Sequence, residues 1–392
     1  MRACLITIMM LILMALPVCA YAAGVVNERI RSVENGLLPK AEPGQPAQAT
    51  SIADRMKFYN VPGVGIAVIN NGRIEWARGY GVLEAGGTRN VNEDTLFQAA
   101  SISKPVTALA AMCLVEAGKL DLDENVNKKL RSWQAPENEF TKHQKVTLRR
   151  LLSHSAGLNN SGFPGYGADG ELPTLLQILN GEKPSNTEPM RVECTPGAEC
   201  RYSGGGYVIV QQLMMDVSGK PFPDLMDELV LGKLGMRHST FRQPISPEPA
   251  DSAATGHRGD GKPLPRKWHV YPEMAAAGLW TTPSDLARAA IALRQSSIGV
   301  GKTFLSRETA KEMMTRQSLE GTGLGVSISG EGDSTYFFHF GANEGFRCVM
   351  IMNLKKGRGA VIMTNSDNGD KLSTEIIDSI ARTYRSLDNG EK

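Results

Sequence analysis

Residues 97–118, FQAASISKPVTALAAMCLVEAG, decide how this chain reads. From Lys104 to Ala117 the pattern is helical, with Leu109, Met112, Cys113 and Val115 inside the run and Gly118 placed to end it. Ser101 opens the run and Lys104 follows three residues later, so one helical turn separates them and sets both on one face. The start of a helix offers backbone N–H groups and a partial positive charge to a developing oxyanion. A partly desolvated lysine falls in pKa until it can accept a proton. Taken alone, the pair reads more simply as an N-cap serine followed by a surface lysine.

Working outward, Val64–Ile69 and Arg73–Ala77 are β-rich runs around Asn70-Asn71-Gly72, a tight-turn sequence because Asn and Gly accept positive φ. The middle of the chain carries helical runs, Tyr207–Val217 closed by Gly219 and Asp224–Leu231, separated by Gly/Pro/Asn loops. Thr282-Pro283-Ser284-Asp285 reads as a cap for a helix over Leu286–Leu293. The last third turns to strands at Gly323–Ser329, Tyr336–Phe340, Phe346–Leu354 and Ala360–Asn365. A final helix follows, its Leu372, Ile376, Ile377, Ile380 and Tyr384 spaced to lie against a sheet. The expected fold class is therefore α/β in the α+β sense: an antiparallel sheet built from both chain ends (about 51–115 and 265–388), flanked by helices, with a mostly helical insertion at about 116–264.

The 392 residues, 41% apolar and 21% charged, suffice for a large core, and the formal charge of +2 gives no basic field for nucleic acid. Residues 1–22 read as a secretory leader: Met1-Arg2, an apolar run from Leu5 to Leu16, and Ala20-Tyr21-Ala22 as a cleavage site. Export to a periplasmic or extracellular compartment is expected, with no stable membrane span after cleavage, and residues 23–50 form an N-terminal arm. Cys194 and Cys200 flank the turn-forming Thr-Pro-Gly-Ala-Glu, so an oxidising compartment would let them pair; Cys113 and Cys348 sit in apolar runs as small buried hydrophobes. No Cys/His cluster has ligand spacing, so neither metal nor cofactor is expected. Gly256–Lys262 fits a phosphate-loop spacing, but Pro263 stands where Ser or Thr is required, and the segment reads as a polar loop. His154 reads as a hydrogen-bonded structural residue, and Glu344 as a residue beside the cleft.

Ser101-Ile102-Ser103-Lys104, Tyr202-Ser203-Gly204 after Thr195-Pro196-Gly197, and His339-Phe340-Gly341 on a late strand occur in the order of a known set of motifs. With Leu151–Leu158, Leu234-Gly235-Met236 and Ala277–Thr282, they make residues 50–385 similar to the class C β-lactamase branch of serine hydrolases, with its penicillin-binding, esterase and D-aminopeptidase-like members. The resemblance implies a β-lactamase/transpeptidase-like fold and an acyl-enzyme on Ser101, with Lys104 and Tyr202 moving its proton. It further implies an oxyanion hole from the backbone N–H groups of Ser101 and Ala342, and substrate contacts at His339, Gly341 and Ala342, for a small-molecule or peptide substrate. Gly204 stands where the β-lactamase pattern has Asn, and His339-Phe340 where it has Lys-Thr. A mostly neutral imidazole is a poor carboxylate site, so ester or peptide-like amide substrates are expected over β-lactams. The competing expectation is a protein that binds, or is only acylated by, penicillin or cell-wall peptides.

Overall fold

The computed structural model describes residues 23–39, 46, 48–318 and 320–385; the expected leader and part of the arm lie outside them. The chain forms two compact units, one of residues up to Phe58 together with those from Lys371, the other Tyr59–Asp370. In the first, residues 23–34 are helical and Ile52–Tyr59 forms a short helix. The last helix, Gly369–Arg385, buries Leu372, Ile376, Ile380 and Tyr384 as their spacing predicts, and Ser379 Oγ donates to the Val33 carbonyl at 3.0 Å.

The second unit is organised by a six-stranded antiparallel sheet. Its strands are β1 (Gly63–Asn70), β2 (Arg73–Gly81), β3 (Ser327–Ser329), β4 (Tyr336–Asn343), β5 (Phe346–Asn353) and β6 (Gly359–Thr364), in the order β2-β1-β6-β5-β4-β3. The β1–β2 turn forms where predicted, with Asn71 at φ 52° and Gly72 at φ 70°. β1 is buried along its whole length and pairs β6 from Val64↔Thr364 to Ile69↔Gly359, so sequence from both ends builds one sheet.

Three long helices complete the frame. α1 (Ser103–Glu116) is buried at all but three positions, a core helix apolar on nearly every side. α2 (Gly204–Ser218) is capped by Ser203, whose Oγ accepts from the Gly206 N–H, and closed by Gly219 at φ 67°. α3 (Pro283–Ile298) is capped by Thr282 as the sequence indicates, and packs across β1, β6 and β5.

Two expectations are corrected. The strand foreseen at Gly323–Ser329 is reduced to Ser327–Ser329, because Gly321 and Gly325 take φ 82° and 88° and turn the chain there. Cys194 and Cys200 are free thiols. The Cys200 Sγ lies 3.2 Å from Thr322 Oγ1 and 3.8 Å from the Ser153 carbonyl, whereas Cys194 is turned toward Gly157. Among the described residues no helix is long and apolar enough to cross a membrane.

Candidate active site

Ser101 lies in the single 3-10 turn Ala100–Ile102 that runs into α1. Ala100, fully buried, takes φ 48°, a left-handed conformation that costs a non-glycine residue about 1–3 kcal/mol and is held by packing on both sides. Its neighbours explain how. The Cys348 thiol donates to the Ala99 carbonyl at 2.9 Å, and Gly341 of β4 approaches so closely that a Cβ there would collide with that carbonyl and with Cys348 Sγ. Cys348 is thus the buried free thiol expected, with a specific hydrogen bond besides, and burial pushes its pKa far up. The same approach seats the β4 backbone at Gly341 and Ala342 beside the turn that carries Ser101.

Lys104, on the first turn of α1, is almost wholly buried. Its Nζ donates to Ser101 Oγ at 2.9 Å and to the Ala276 carbonyl at 2.9 Å. Burial lowers its pKa from the ordinary lysine value, and the neighbouring Tyr202 works against that shift. The acceptor belongs to a short strap around the helix Met274–Ala277, tied to α1 by Thr107 Oγ1 on the Ala275 carbonyl (3.2 Å) and by the Leu279 N–H on Ser103 Oγ (2.9 Å). Gln211 of α2 grips the strap from the other side, accepting from the Ala275 N–H at 2.9 Å and donating to the Pro272 carbonyl at 3.2 Å. At its start Glu273 is fully buried with neither carboxylate oxygen hydrogen-bonded, and burial pushes its pKa up to about 8.

Tyr202, 42% exposed, closes the group: Lys104 Nζ is 5.1 Å from its ring centroid, and the His154 and His339 rings lie 4.3 and 6.3 Å away. His339 points to the buried face of β4, and its Nδ1 donates to the Phe340 carbonyl at 2.7 Å, leaving Nε2 as the acceptor of the neutral ring. Burial, then the Lys104 charge, push its pKa down to about 3, so the imidazole is neutral at physiological pH. His154 is the residue that sequence reasoning left without a part in the site. It sits at φ 58°, accepts the Ser203 N–H on Nδ1 at 3.1 Å, and is held neutral by burial and by Lys104. Only its place in Leu151–Leu158 hinted at this.

Beyond Phe338, β4 has no pairing to β3, so residues 339–343 present an edge of the sheet on that side. Glu344, just past it, pairs with Arg258 at 2.6 Å, and His269 Nδ1 lies 3.2 Å from its carboxylate. Arg258 belongs to the loop with phosphate-loop spacing, which is a turn closed by Arg258 N–H on the Lys262 carbonyl at 2.9 Å. Among the described residues no group of three acidic, His or Cys side chains is placed to hold a metal ion. The structure therefore brings Ser101, Lys104, Tyr202 and His339 together, with Gly341 and Ala342 at their edge.

A buried lysine on a serine at a helix start, with a tyrosine over it and the edge of an antiparallel sheet alongside, is the cluster that the three ordered sequence motifs bring together. The chain belongs to the Beta-lactamase family, whose model matches residues 49–385. It is 22% identical over 346 residues to Protein flp of Staphylococcus aureus, covering 84% of this chain and 66% of that protein. A Beta-lactamase of Pseudomonas fluorescens is 27% identical over 240 residues, 60% of this chain and 61% of the relative. The chain thus spans less than two thirds of these relatives' length. Among solved structures, D-amino acid amidase from Ochrobactrum anthropi SV3 superposes with a TM-score of 0.70 at 20% identity, covering 94% of this chain and 99% of that one.

Proposed function

We propose that this chain is an exported acyl-transfer hydrolase that cleaves an ester or peptide-like amide through an acyl-enzyme on Ser101. The observation that carries the reading is the 2.9 Å contact between Lys104 Nζ and Ser101 Oγ, with burial that depresses the lysine. Neutral Lys104 takes the hydroxyl proton as Oγ bonds to the substrate carbonyl carbon. The backbone N–H groups of Ser101 and Ala342 receive the oxyanion, and Tyr202 returns a proton to the departing oxygen or nitrogen. Water then attacks the ester carbon and gives a proton to the Tyr202 phenolate, the Oγ–carbonyl bond breaks, and Ser101 Oγ takes back its proton from Lys104. Neutral His339 offers a hydrogen-bond acceptor where a cation would favour the carboxylate of a β-lactam, which supports uncharged substrate ends. Support for export is the apolar leader in the sequence.

The test is turnover of a short-chain p-nitrophenyl ester, a D-amino-acid amide and a chromogenic cephalosporin by wild type and Ser101→Ala. Ester or amide turnover that drops more than about 1000-fold in the variant is expected. A stable adduct on Ser101 by intact mass, without turnover, would instead mark an acylatable binding protein. Neither adduct nor turnover would end the hydrolase reading.

A further inference from the structure

Tyr202 is the most exposed member of the cluster, and three features of His154 converge on it. The His154 carbonyl accepts the Arg201 N–H at 2.7 Å and its Nδ1 accepts the Ser203 N–H at 3.1 Å, so one residue holds the backbone on both sides of the tyrosine. Its ring packs against those of Tyr202 and Tyr207, at centroid distances of 4.3 and 5.5 Å. His154 makes these contacts at φ 58°, a left-handed conformation uncommon outside glycine. The residue is itself well anchored. It follows the helix Leu148–Leu152, where the Ser155 N–H and the Ser153 Oγ donate to the Arg150 and Arg149 carbonyls, each at 2.8 Å. The Ser155 and Gly157 carbonyls accept the Gly197 and Glu193 N–H groups at 2.7 and 2.8 Å, so the run that leads to Tyr202 is carried on residues 154–157. Tyr207 is fixed in turn by its hydroxyl, which donates to the Leu152 carbonyl at 3.0 Å.

The contact with Ser203 requires a neutral ring. Accepting on Nδ1 assigns the ring proton to Nε2, and an imidazolium would have no lone pair left for the Ser203 N–H. Burial, then the Lys104 charge, keep the ring in that form. The ionisable groups around Lys104 Nζ are Tyr202 and Tyr207, whose ring centroids lie 5.1 and 5.8 Å away, and the neutral imidazoles of His154 and His339. We propose that His154 is the positioning residue of Tyr202, holding both flanking amides so that the phenol stays over Lys104 while protons move. His154 exchanges no proton itself. Its role rests on the reading of Ser101 as nucleophile and Lys104 as base.

Two substitutions separate positioning from simple packing, measured as the pH profile of kcat/KM with a short-chain p-nitrophenyl ester. Asparagine puts a carbonyl oxygen close to where Nδ1 stands and tolerates positive φ, whereas glutamine carries its amide one bond further out and leaves the Ser203 N–H without an acceptor. His154→Gln should lower kcat by at least about tenfold and move the rising limb to lower pH, the direction of Tyr202→Phe, because a displaced phenol no longer holds the lysine pKa up. His154→Asn should stay within about threefold of wild type with the limb in place. The position of the limb does not depend on how much of a variant is folded. If His154 acts through Tyr202, adding His154→Gln to Tyr202→Phe should change kcat/KM by less than about twofold. A limb that stays at the wild-type pH in His154→Gln, a limb that moves in His154→Asn, or a full His154→Gln loss in the Tyr202→Phe background would overturn the inference while leaving the hydrolase reading intact. Where His154→Gln does not fold, the limb of His154→Asn decides alone. Absence of Ser101-dependent turnover in wild type would remove both.

Discussion

Lys104 and His339 show how one buried cluster sets two basic groups apart. Both are desolvated and the Lys104 charge further disfavours that of His339, but only Lys104 has Tyr202 holding its pKa up. If neutral Lys104 is the base, kcat/KM rises with pH along a limb set by that depressed pKa. Tyr202→Phe removes the opposing phenol, so Lys104 falls further: the limb should move to lower pH while the rate drops by about 100-fold or more. His339, at about 3, gains no proton between pH 5 and 8. His339→Gln should therefore lower kcat/KM without changing the shape of the profile in that range, and a new or lost inflection near 6.5 would contradict the neutral imidazole. At this scale Ser101 and Lys104 were legible only through the ordered motifs around them, since a spacing of three at a helix start reads by itself as a capping serine and a surface lysine, whereas Lys104 is buried and the helix has no side-chain cap. His154 was not, since its contact with Tyr202 depends on a positive φ and on the bend that brings Ser203 back to it.

At the scale of elements, the position of β4 against the Ser101 turn depends on an absent side chain. Gly341→Ala would push β4 away from Ala99 and Cys348, at about 1–3 kcal/mol for the overpacking. It should cost at least about tenfold in kcat through the displaced Ala342 N–H, with circular dichroism showing the sheet retained. Unchanged kcat would mean that β4 does not supply the oxyanion site. The β1–β2 hairpin, the capped helices and the strands around His339 were legible, because turn chemistry and capping residues are local signals. The glycine turn at 321–325 and the free thiols were not. The first looks like a strand by its apolar residues, while Gly325 is used for a close approach to Ala108, and the second depended on partners from Ser153 and Thr322 far along the chain.

For the molecule as a whole, stability carries the mark of Glu273. Its carboxyl is raised from an ordinary value near 4.5 to about 8, so the folded state holds a proton that the unfolded chain gives up. The stability this proton contributes is complete below pH 4.5 and is lost as pH rises through 8, at about 1.4 kcal/mol per unit within the window. Glu273→Gln does not titrate, so its melting temperature relative to wild type should climb by roughly 5 °C between pH 6 and 8. A constant difference would show the carboxyl ionised and solvated throughout. The pairing of β1 with β6 has a different consequence, one of time: residues 64 and 364 are ladder neighbours, so β1 lacks that partner until almost the entire chain exists. A nascent chain stopped before Gly359 already carries Ser101, Lys104, Tyr202 and His339, yet its buried strand stays open along one side, a target for proteases and for other unfinished copies.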